Sequence, residues 1–497
     1  MKQKVYGIIS VLFLMVLPLV GIAKETDQMD LEKKLSMPQE HWYDTSMLGK
    51  KVGYVHTYFD IVDFQGERML QSRTDVKFQI KGLGKDFVIA STRTEYSDLK
   101  FNPRYFTYTQ KEPDERKVEG EIIDHVAHIK TTLNSQVSES EVILPKDTIF
   151  NGVLSNYLFA QNRLKIGEKL AFHIYDLDLL MPVKTGIQVK EKKLFIDKED
   201  EIPVYEVKLN MEIMGGLNLT IWISEDGIDY KTSTDMMGLP IIVTKTDRNT
   251  ALGIPEDVDI MLKTQIVPSG KKPRQGASQL VVNLKLSKGN LKETVLINNR
   301  QKLKLDSEKT GRLSIQKQKI DEDATLTLPI EDPEMMEFLS PTLYIESDHP
   351  DISAKAAEII KGEDDAWLAA KKLSRWVYKH IRYKHLSGGF GTALSTLESS
   401  SGDCTEHTVL LIALARSVGI PARICSGLVY GDNAFYFHFW PEVYVGQWVQ
   451  MDPTLGQLVA DANHIQFGGG ILESDTMLEF TEGVFRTVNQ LAIEIVE

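Results

Sequence analysis

The chain has 497 residues and a formal net charge of −13, and 42% of its residues are hydrophobic. A chain of this length usually folds into two or three domains. The acidic excess argues against a nucleic-acid partner, because phosphate binding requires clustered Lys and Arg. The one basic cluster, Lys271-Lys272-Pro273-Arg274, lies between Pro268 and Gly276 and is interpreted as a solvated linker.

Residues 1–23 have the pattern of a cleaved signal peptide. Lys2 and Lys4 precede a largely apolar run, and Gly21-Ile22-Ala23 then forms a small-x-small cleavage pattern. The run is also long enough for an uncleaved membrane anchor, so that alternative stays open. Either alternative predicts a periplasmic or otherwise extracytoplasmic location. It also leaves open an association of the N-terminal region with the envelope or a membrane surface.

Residues 24–252 are predicted to form an antiparallel β domain. From about Trp42 to about Leu252, apolar and polar residues alternate along many short runs, as they do in strands with one buried face. The clearest runs are Val52–Phe59, Val76–Ile80, Phe87–Thr92, Val204–Leu209 and Leu219–Ile223. Thr148–Gln161 is the one segment of this region whose pattern suggests a helix. The arrangement resembles curved antiparallel half-barrels.

Residues 253–346 are predicted to form a small β module or connector, with strand-like runs at Ile260–Ile266 and Leu280–Leu286. Neither β region has Cys, His and carboxylates at metal-ligand spacing, and the chain has no glycine-rich phosphate loop. We therefore predict no metal and no cofactor.

Residues 347–497 are predicted to form the catalytic domain of a multidomain chain. After His349-Pro350 the apolar period becomes three to four residues, which is typical of a helix. Asp364 or Asp365 can cap that helix, whose apolar positions continue to Ile381.

The chain has only two cysteines, Cys404 and Cys425. A scaffold held together by disulfides would have more. One bridge between the two remains conceivable and would silence either thiol as a nucleophile. Their different surroundings favour one working thiol and one small buried residue.

Cys404 is predicted to lie in the first turn of a buried helix. Asp403 can cap the helix and Glu406 can complete a capping box, while Gly419-Ile420-Pro421 ends the helix. The helix dipole favours a thiolate and can lower a thiol pKa to roughly 3.5–7.5. The backbone N–H of Cys404 is free to stabilise an oxyanion.

Three strands are predicted after this helix, at Ala422–Tyr430, Phe435–Val445 and Trp448–Asp452. A three-residue turn at Val445-Gly446-Gln447 pairs Tyr444 with Trp448. Asp452 then shares a face with His438, roughly 5–8 Å away between β-carbons, where it can orient the imidazole. A two-residue turn would instead place Asp452 on the opposite face.

Four segments resemble the core motifs of the transglutaminase-like superfamily, especially its bacterial exported branch: GDCTEH at 402–407, RSVGIPAR at 416–423, HFWPEVY at 438–444 and WVQMDPT at 448–454. The resemblance covers about residues 347–470. It implies an α+β papain-like core in which Cys404, His438 and Asp452 form a catalytic triad. It also implies attack on amide bonds of a protein or peptide substrate. Members act as crosslinking transferases, peptidases or amidases, and some have lost activity, so a non-catalytic envelope binding or assembly protein is the alternative.

Three neighbours are weaker candidates for substrate contact or support. His407 lies one helical turn beyond the cysteine and is also typical of a packed core histidine. Trp440 is expected to pack beneath the site, and Glu442 is expected either to hydrogen-bond near the triad or to be structural. A further motif, Asp461-Ala462-Asn463-His464, resembles one that follows the last triad strand in this branch, where a structural role is favoured.

Overall fold

The computed structural model describes residues 28–82, 84–111, 114–134, 136–197, 200–213, 216–236, 238–383, 390–472, 483–484 and 486–497. The predicted signal peptide at residues 1–23 lies outside this part of the chain. The fold divides into two compact units. The first runs to Lys81 and from Asp86 to Val258, and the second comprises Gly82–Lys85 and Asp259–Glu497. In the described part of the chain, no helix has the length and apolar character needed to cross a membrane.

The first unit is built on one 15-stranded sheet, in the order β8-β7-β6-β5-β4-β3-β2-β1-β15-β14-β13-β12-β11-β10-β9. The strands are β1 Gln39–Met47, β2 Lys50–Phe64, β3 Glu67–Gly82, β4 Lys85–Ser97, β5 Pro103–Gln110, β6 Arg116–Ile123, β7 Val126–Leu133, β8 Gln136–Ile143, β9 Thr148–Phe150, β10 Lys169–Asp176, β11 Met181–Asp197, β12 Asp200–Met211, β13 Leu217–Ser224, β14 Asp229–Met236 and β15 Leu239–Thr246. Strand β1 pairs antiparallel with both β2 and β15, while β9 pairs parallel with β10. Every run predicted as a strand in this region lies within one of these strands. In β6, for example, buried and exposed residues alternate strictly, as one buried face requires.

Among the described residues of this unit, three helices accompany the sheet: α1 Gln28–Lys34, α2 Leu154–Ala160 and α3 Arg248–Ala251, with a 3-10 turn at Asn151–Val153. The helix predicted at 148–161 is therefore shorter than expected. Its first residues form strand β9 and the 3-10 turn, and only the segment from Leu154 to Ala160 is α-helical.

The second unit has a five-stranded sheet, in the order β16-β24-β17-β19-β18, and a four-stranded sheet, in the order β22-β21-β20-β23. The strands are β16 Ser269–Gly270, β17 Gln279–Leu286, β18 Gln301–Leu305, β19 Thr310–Gln316, β20 Ala422–Gly431, β21 Ala434–Tyr444, β22 Trp448–Gln450, β23 His464–Gly470 and β24 Leu491–Ile495. Its helices are α4 Ile260–Thr264, α5 Leu291–Thr294, α6 Pro350–Ile360, α7 Ala366–His380, α8 Ala393–Ser399 and α9 Cys404–Ser417, with 3-10 turns at Glu322–Ala324 and Pro333–Leu339.

Segments from both sides of the predicted boundary at 346/347 share the five-stranded sheet. The C-terminal strand β24 pairs antiparallel with β17 of the middle region, with Leu284 opposite Ile493. The prediction of a strand at Ile260–Ile266 is wrong, because this segment contains helix α4. The Asp259 side chain caps the first turn of the helix by accepting the N–H of Leu262. The domain boundaries themselves stay predictions.

Helix α9 lies at the centre of the second unit. Every residue from Thr405 to Arg416 is buried, so the helix has no solvated face. It packs against helices α6, α7 and α8 and against strands β20 and β21. This packing fixes the start of α9, and therefore Cys404, against the strand that carries His438.

Candidate active site

The start of α9 has the capping box predicted from the sequence. The Asp403 side chain accepts the N–H of Thr405 at 2.8 Å, and Glu406 accepts the N–H of Asp403 at 2.8 Å. Gly402 precedes the box with a φ of 151°, and an added Cβ would lie 2.3 Å from the Cβ of Glu406. The first turn of α9 is thus fixed by hydrogen bonds on both sides of Cys404.

Glu406 is a buried part of this turn. Its second oxygen accepts the backbone N–H of Gly391 at 2.9 Å and the hydroxyl of Thr405 at 2.9 Å. Burial, followed by the nearby charge of Asp403, raises the pKa of Glu406 from 4.5 to about 8. Both oxygens of Glu406 therefore accept hydrogen bonds, from the first turn of α9 and from Gly391.

Cys404 is partly exposed, while Cys425 is fully buried, and both are free thiols. The backbone N–H of Phe439, the residue after His438, donates to the Cys404 sulfur. Burial and the charge of Asp403 nevertheless raise the pKa of the Cys404 thiol well above its usual value. The lowered pKa expected from the helix dipole is therefore wrong, because desolvation and neighbouring carboxylates outweigh the dipole.

The strand register places His438 beside Asp452, as the three-residue turn requires. Tyr444 pairs with Trp448 across β21 and β22. Asp452 follows the end of β22, where its backbone exchanges two hydrogen bonds of 2.8 Å with Gln457. The Nε2–H of His438 donates to Asp452 Oδ2 at 2.9 Å, which leaves Nδ1 as the ring nitrogen that can serve the thiol.

Asp452 is fully buried and accepts several hydrogen bonds. Its Oδ1 accepts the N–H groups of Thr454 at 2.8 Å and Leu455 at 3.1 Å. Its Oδ2 accepts from His464 Nε2 at 3.0 Å in addition to His438. Burial alone would raise the pKa of Asp452, but the two imidazoles outweigh it and hold that pKa well below the usual range. Asp452 is therefore a carboxylate at any ordinary pH.

The structure places His464 and Asp461 next to Asp452. The sequence analysis did not assign these two residues to the site. His464 is fully buried at the start of β23, and its Nδ1 lies 3.0 Å from Asp461 Oδ1. Burial opposes a charge on His464, but its bonds to Asp452 and Asp461 raise its pKa above 6.5. The signal was the motif at 461–464, which was recognised but interpreted as structural.

The three weaker candidates are all buried. His407 Nδ1 lies 2.6 Å from the carbonyl oxygen of Asp403, within its own helix. Trp440 stacks on His438, with ring centroids 5.9 Å apart, and its indole N–H donates to Gln450 at 3.0 Å.

Glu442 pairs with Arg423 at 2.7 Å on the neighbouring strand. This ion pair joins β20 to β21, where the two residues stand opposite each other. The position fits the structural alternative for Glu442.

A pocket of about 690 Å³ opens over Cys404 and His438. One wall is aromatic and comes from Tyr436 and Phe437 of β21. Another comes from the basic loop at 271–275, through Lys272, Pro273 and Gln275. The loop was interpreted as a solvated linker, and Lys271, Lys272 and Arg274 are indeed exposed; Lys272 also donates to the side chain of Asn433 at 2.8 Å.

In the described part of the chain, one group of three residues has the composition of a metal site. The ligand atoms of His438, Asp452 and His464 lie within 4.8 Å of one another. Each imidazole Nε2 already donates a proton to the same carboxylate oxygen, and a metal would require both protons to leave. We therefore interpret the group as a hydrogen-bonded network.

No curated protein matches this chain. Among solved structures, one described as a "putative cysteine protease" from Cytophaga hutchinsonii is 19% identical, covering 45% of this chain and 86% of its own, with a TM-score of 0.32. A β-barrel-like protein of a domain of unknown function from Brucella abortus is 13% identical, covering 42% of this chain and 96% of its own, with a TM-score of 0.34.

The family comparison is specific to one region. Residues 353–453 match the family model of the transglutaminase-like superfamily core. The match includes Cys404, His438 and Asp452, and it ends before Asp461 and His464. The second unit of this β-rich chain therefore contains a transglutaminase-like domain at residues 353–453.

Proposed function

We propose that this domain is a cysteine enzyme that transfers or hydrolyses acyl groups at amide bonds of protein or peptide substrates. Cys404 is the nucleophile, His438 is the general base and Asp452 orients the imidazole. The observation that carries the proposal is the 2.9 Å bond between His438 Nε2 and Asp452 Oδ2, at a pocket that Cys404 also lines. Nucleophile, base and orienting carboxylate are the three parts that thiol catalysis requires.

The fold proposed for this chemistry is a papain-like α+β core. Its elements are helix α9, which begins at the cysteine, and the antiparallel pair β21–β22, which supplies the histidine and the aspartate. In this arrangement a helix start faces a sheet, so a substrate carbonyl lying between them meets the thiol and the imidazole together.

The raised thiol pKa determines the first step. The resting site holds a neutral Cys404 thiol, so the proton must move to His438 Nδ1 as sulfur attacks the carbonyl carbon. The N–H of Cys404 occupies the first helical position, where no intrahelical acceptor exists, and donates to the oxyanion. The imidazolium then protonates the leaving amine, and a thioester to Cys404 remains.

The second step decides the outcome. Either water or an amine attacks the thioester, with His438 taking its proton. The Cys404 thiolate leaves and is reprotonated from the imidazolium. Water gives hydrolysis, and an amine gives a new amide. Transfer requires that the amine reach the thioester before water does, so product analysis has to separate the two outcomes.

The test is mass spectrometry of a peptide library incubated with the full chain, with and without an added primary amine. We expect products from the wild-type protein and none from Cys404→Ala. An amine adduct identifies transfer, and cleaved or deamidated peptides identify hydrolysis. The matched control is Cys425→Ala, which removes the fully buried thiol of β20 and should keep the activity. Absence of products from wild type and control alike would favour the non-catalytic binding or assembly alternative.

The proposal includes export, because residues 1–23 have the pattern of a signal peptide. Cell fractionation and N-terminal sequencing of the mature chain test this part separately. A mature N-terminus at Lys24 in the extracytoplasmic fraction supports cleavage. An intact N-terminus in the membrane fraction favours the uncleaved anchor, and cytoplasmic recovery contradicts export.

A further inference from the structure

We propose that Asp461 and His464 form a second carboxylate–imidazole pair that positions Asp452 for its work on His438. This inference rests on the proposed function, because it assigns Asp461 and His464 as positioning residues for that same site. Four side chains then lie in sequence: Asp461, His464, Asp452 and His438.

The geometry forms an unbroken hydrogen-bonded chain. His464 Nδ1 lies 3.0 Å from Asp461 Oδ1, and His464 Nε2 lies 3.0 Å from Asp452 Oδ2. The same Oδ2 lies 2.9 Å from His438 Nε2. Because a carboxylate can only accept, both ring nitrogens of His464 are donors, and His464 is an imidazolium.

Burial argues that the arrangement has a purpose beyond filling space. The side chains of His464 and Asp452 are 0% exposed, and that of Asp461 is 3% exposed. Buried charges are expensive, and an apolar residue of similar size would pack at least as well. This cost is consistent with a role for the His464 cation in fixing the orientation of Asp452.

Asp461 is itself anchored from two directions. Its Oδ2 accepts the backbone N–H of Gly276 at 3.0 Å and the side chain of Gln457 at 3.1 Å. The guanidinium of Arg300, which is buried, donates to the Asp461 backbone carbonyl. Asp461, the first of the four side chains, is thus held by the loop after β16 and by Gln457.

As a consequence, Oδ2 of Asp452 accepts hydrogen bonds from two imidazoles, those of His438 and His464. The backbone N–H groups of Thr454 and Leu455 hold Oδ1, and His464 donates to the same Oδ2 that accepts from His438. Rotation of the carboxylate away from His438 would break both sets of bonds. His438 is therefore presented with Nε2 engaged and Nδ1 directed away from Asp452, in the tautomer that a base requires.

The test compares His464→Gln with His464→Leu in the full chain. Glutamine places an amide nitrogen near the position of Nε2 and can still donate to Asp452, whereas leucine cannot. We expect His464→Leu to lower kcat by about 10- to 100-fold, the loss typical of residues that orient a directly acting group, with KM unchanged. His464→Gln should keep kcat within about threefold of wild type, because it retains the donor.

A pH profile separates positioning from simple packing. Both variants remove the cation beside Asp452, so the acid limb of kcat should move to higher pH in both, including the variant that keeps its kcat. A packing role would lower the unfolding midpoint and leave the limb in place, which would overturn the inference. Equal kcat in wild type and His464→Leu would also overturn it.

A spectroscopic readout keeps the inference testable if no substrate turns over. In full-length protein labelled with ¹⁵N-histidine, His464 should carry protons on both ring nitrogens at pH 7, and Cys404→Ala should leave that signal unchanged. Assignment comes from the loss of the signal in His464→Gln. A neutral His464 at pH 6 would overturn the inference whatever the activity. Failure of the library assay with a doubly protonated His464 would instead count against the proposed function alone.

Discussion

The alkylation rate of Cys404 should depend steeply on pH. Burial is the largest cause of its raised thiol pKa, followed by the charge of Asp403, and the charges of Glu406 and Asp452 act in the same direction. Iodoacetamide reacts with the thiolate, whose fraction grows about tenfold per pH unit below the pKa. Between about pH 7 and pH 9 the rate should therefore rise about 100-fold without a plateau.

The variant Asp403→Asn tests the same reasoning in the opposite direction, because it should lower the thiol pKa. Asparagine caps helices about as well as aspartate, so the first turn of α9 should persist while its negative charge is removed. Removal of that charge stabilises the thiolate, lowers the thiol pKa and increases the rate at fixed pH. Each unit by which the pKa falls should increase the rate at pH 8 by about tenfold, which corresponds to about 1.4 kcal/mol.

The assay is mass spectrometry of the labelled protein in a Cys425→Ala background, so that only one thiol is counted. Cys425 is fully buried, and its pKa is raised by burial, so in wild type it should label only on unfolding. A rate that is flat from pH 6 to pH 9 would refute the reasoning, because it would mean a preformed thiolate–imidazolium pair. A slower rate in Asp403→Asn would refute the electrostatic part.

Three further predictions concern stability, each measured as the free energy of unfolding in denaturant. Asp365→Ala should cost about 1 kcal/mol, because the side chain accepts the N–H of Leu368 at the start of α7, and Asp365→Asn should cost less. Glu95→Gln should reduce a pH dependence. Burial raises the pKa of Glu95 from 4.5 to about 8, so the folded form keeps a proton that the unfolded chain releases. The fall in stability from about pH 4.5 to 8 should therefore be smaller in the variant than in wild type. Arg300→Met should cost about 1–3 kcal/mol, because it removes a donor from the buried carbonyl oxygen of Asp461 and from the Gln450 side chain; an unchanged value would contradict this reasoning.

Local rules predicted the capping box and the strand register around Cys404 and His438 correctly. The capping box at Asp403 and Glu406 follows from residue types three positions apart, and the helix start follows from it. The proximity of His438 and Asp452 follows from the length of one turn, since strand period and turn length together determine the shared face. The alternating runs of the first unit likewise became strands, because period two is a property of the local sequence.

The expectations about the site differed from the structure where packing or a longer connection decides the outcome. The predicted lowering of the thiol pKa was wrong, because the helix dipole is a local property whereas burial depends on everything packed around Cys404. His464 was recognised in a motif but left out of the site, since its bond to Asp452 spans the turn between β22 and β23.

The length of the turn before Asp452 depends both on the local conformation of Gly446 and on packing against a distant part of the chain. Gly446 has a φ of 102°, a conformation that side chains rarely adopt, and an added Cβ would lie 2.8 Å from the carbonyl oxygen of Ala324. Glycine therefore permits the three-residue turn, and the chain around Ala324 leaves no room for a side chain at that position. A turn one residue shorter would move Asp452 to the opposite face of the strand, away from His438. The site thus depends on one glycine whose conformation is local and whose close packing comes from the region before the transglutaminase-like domain.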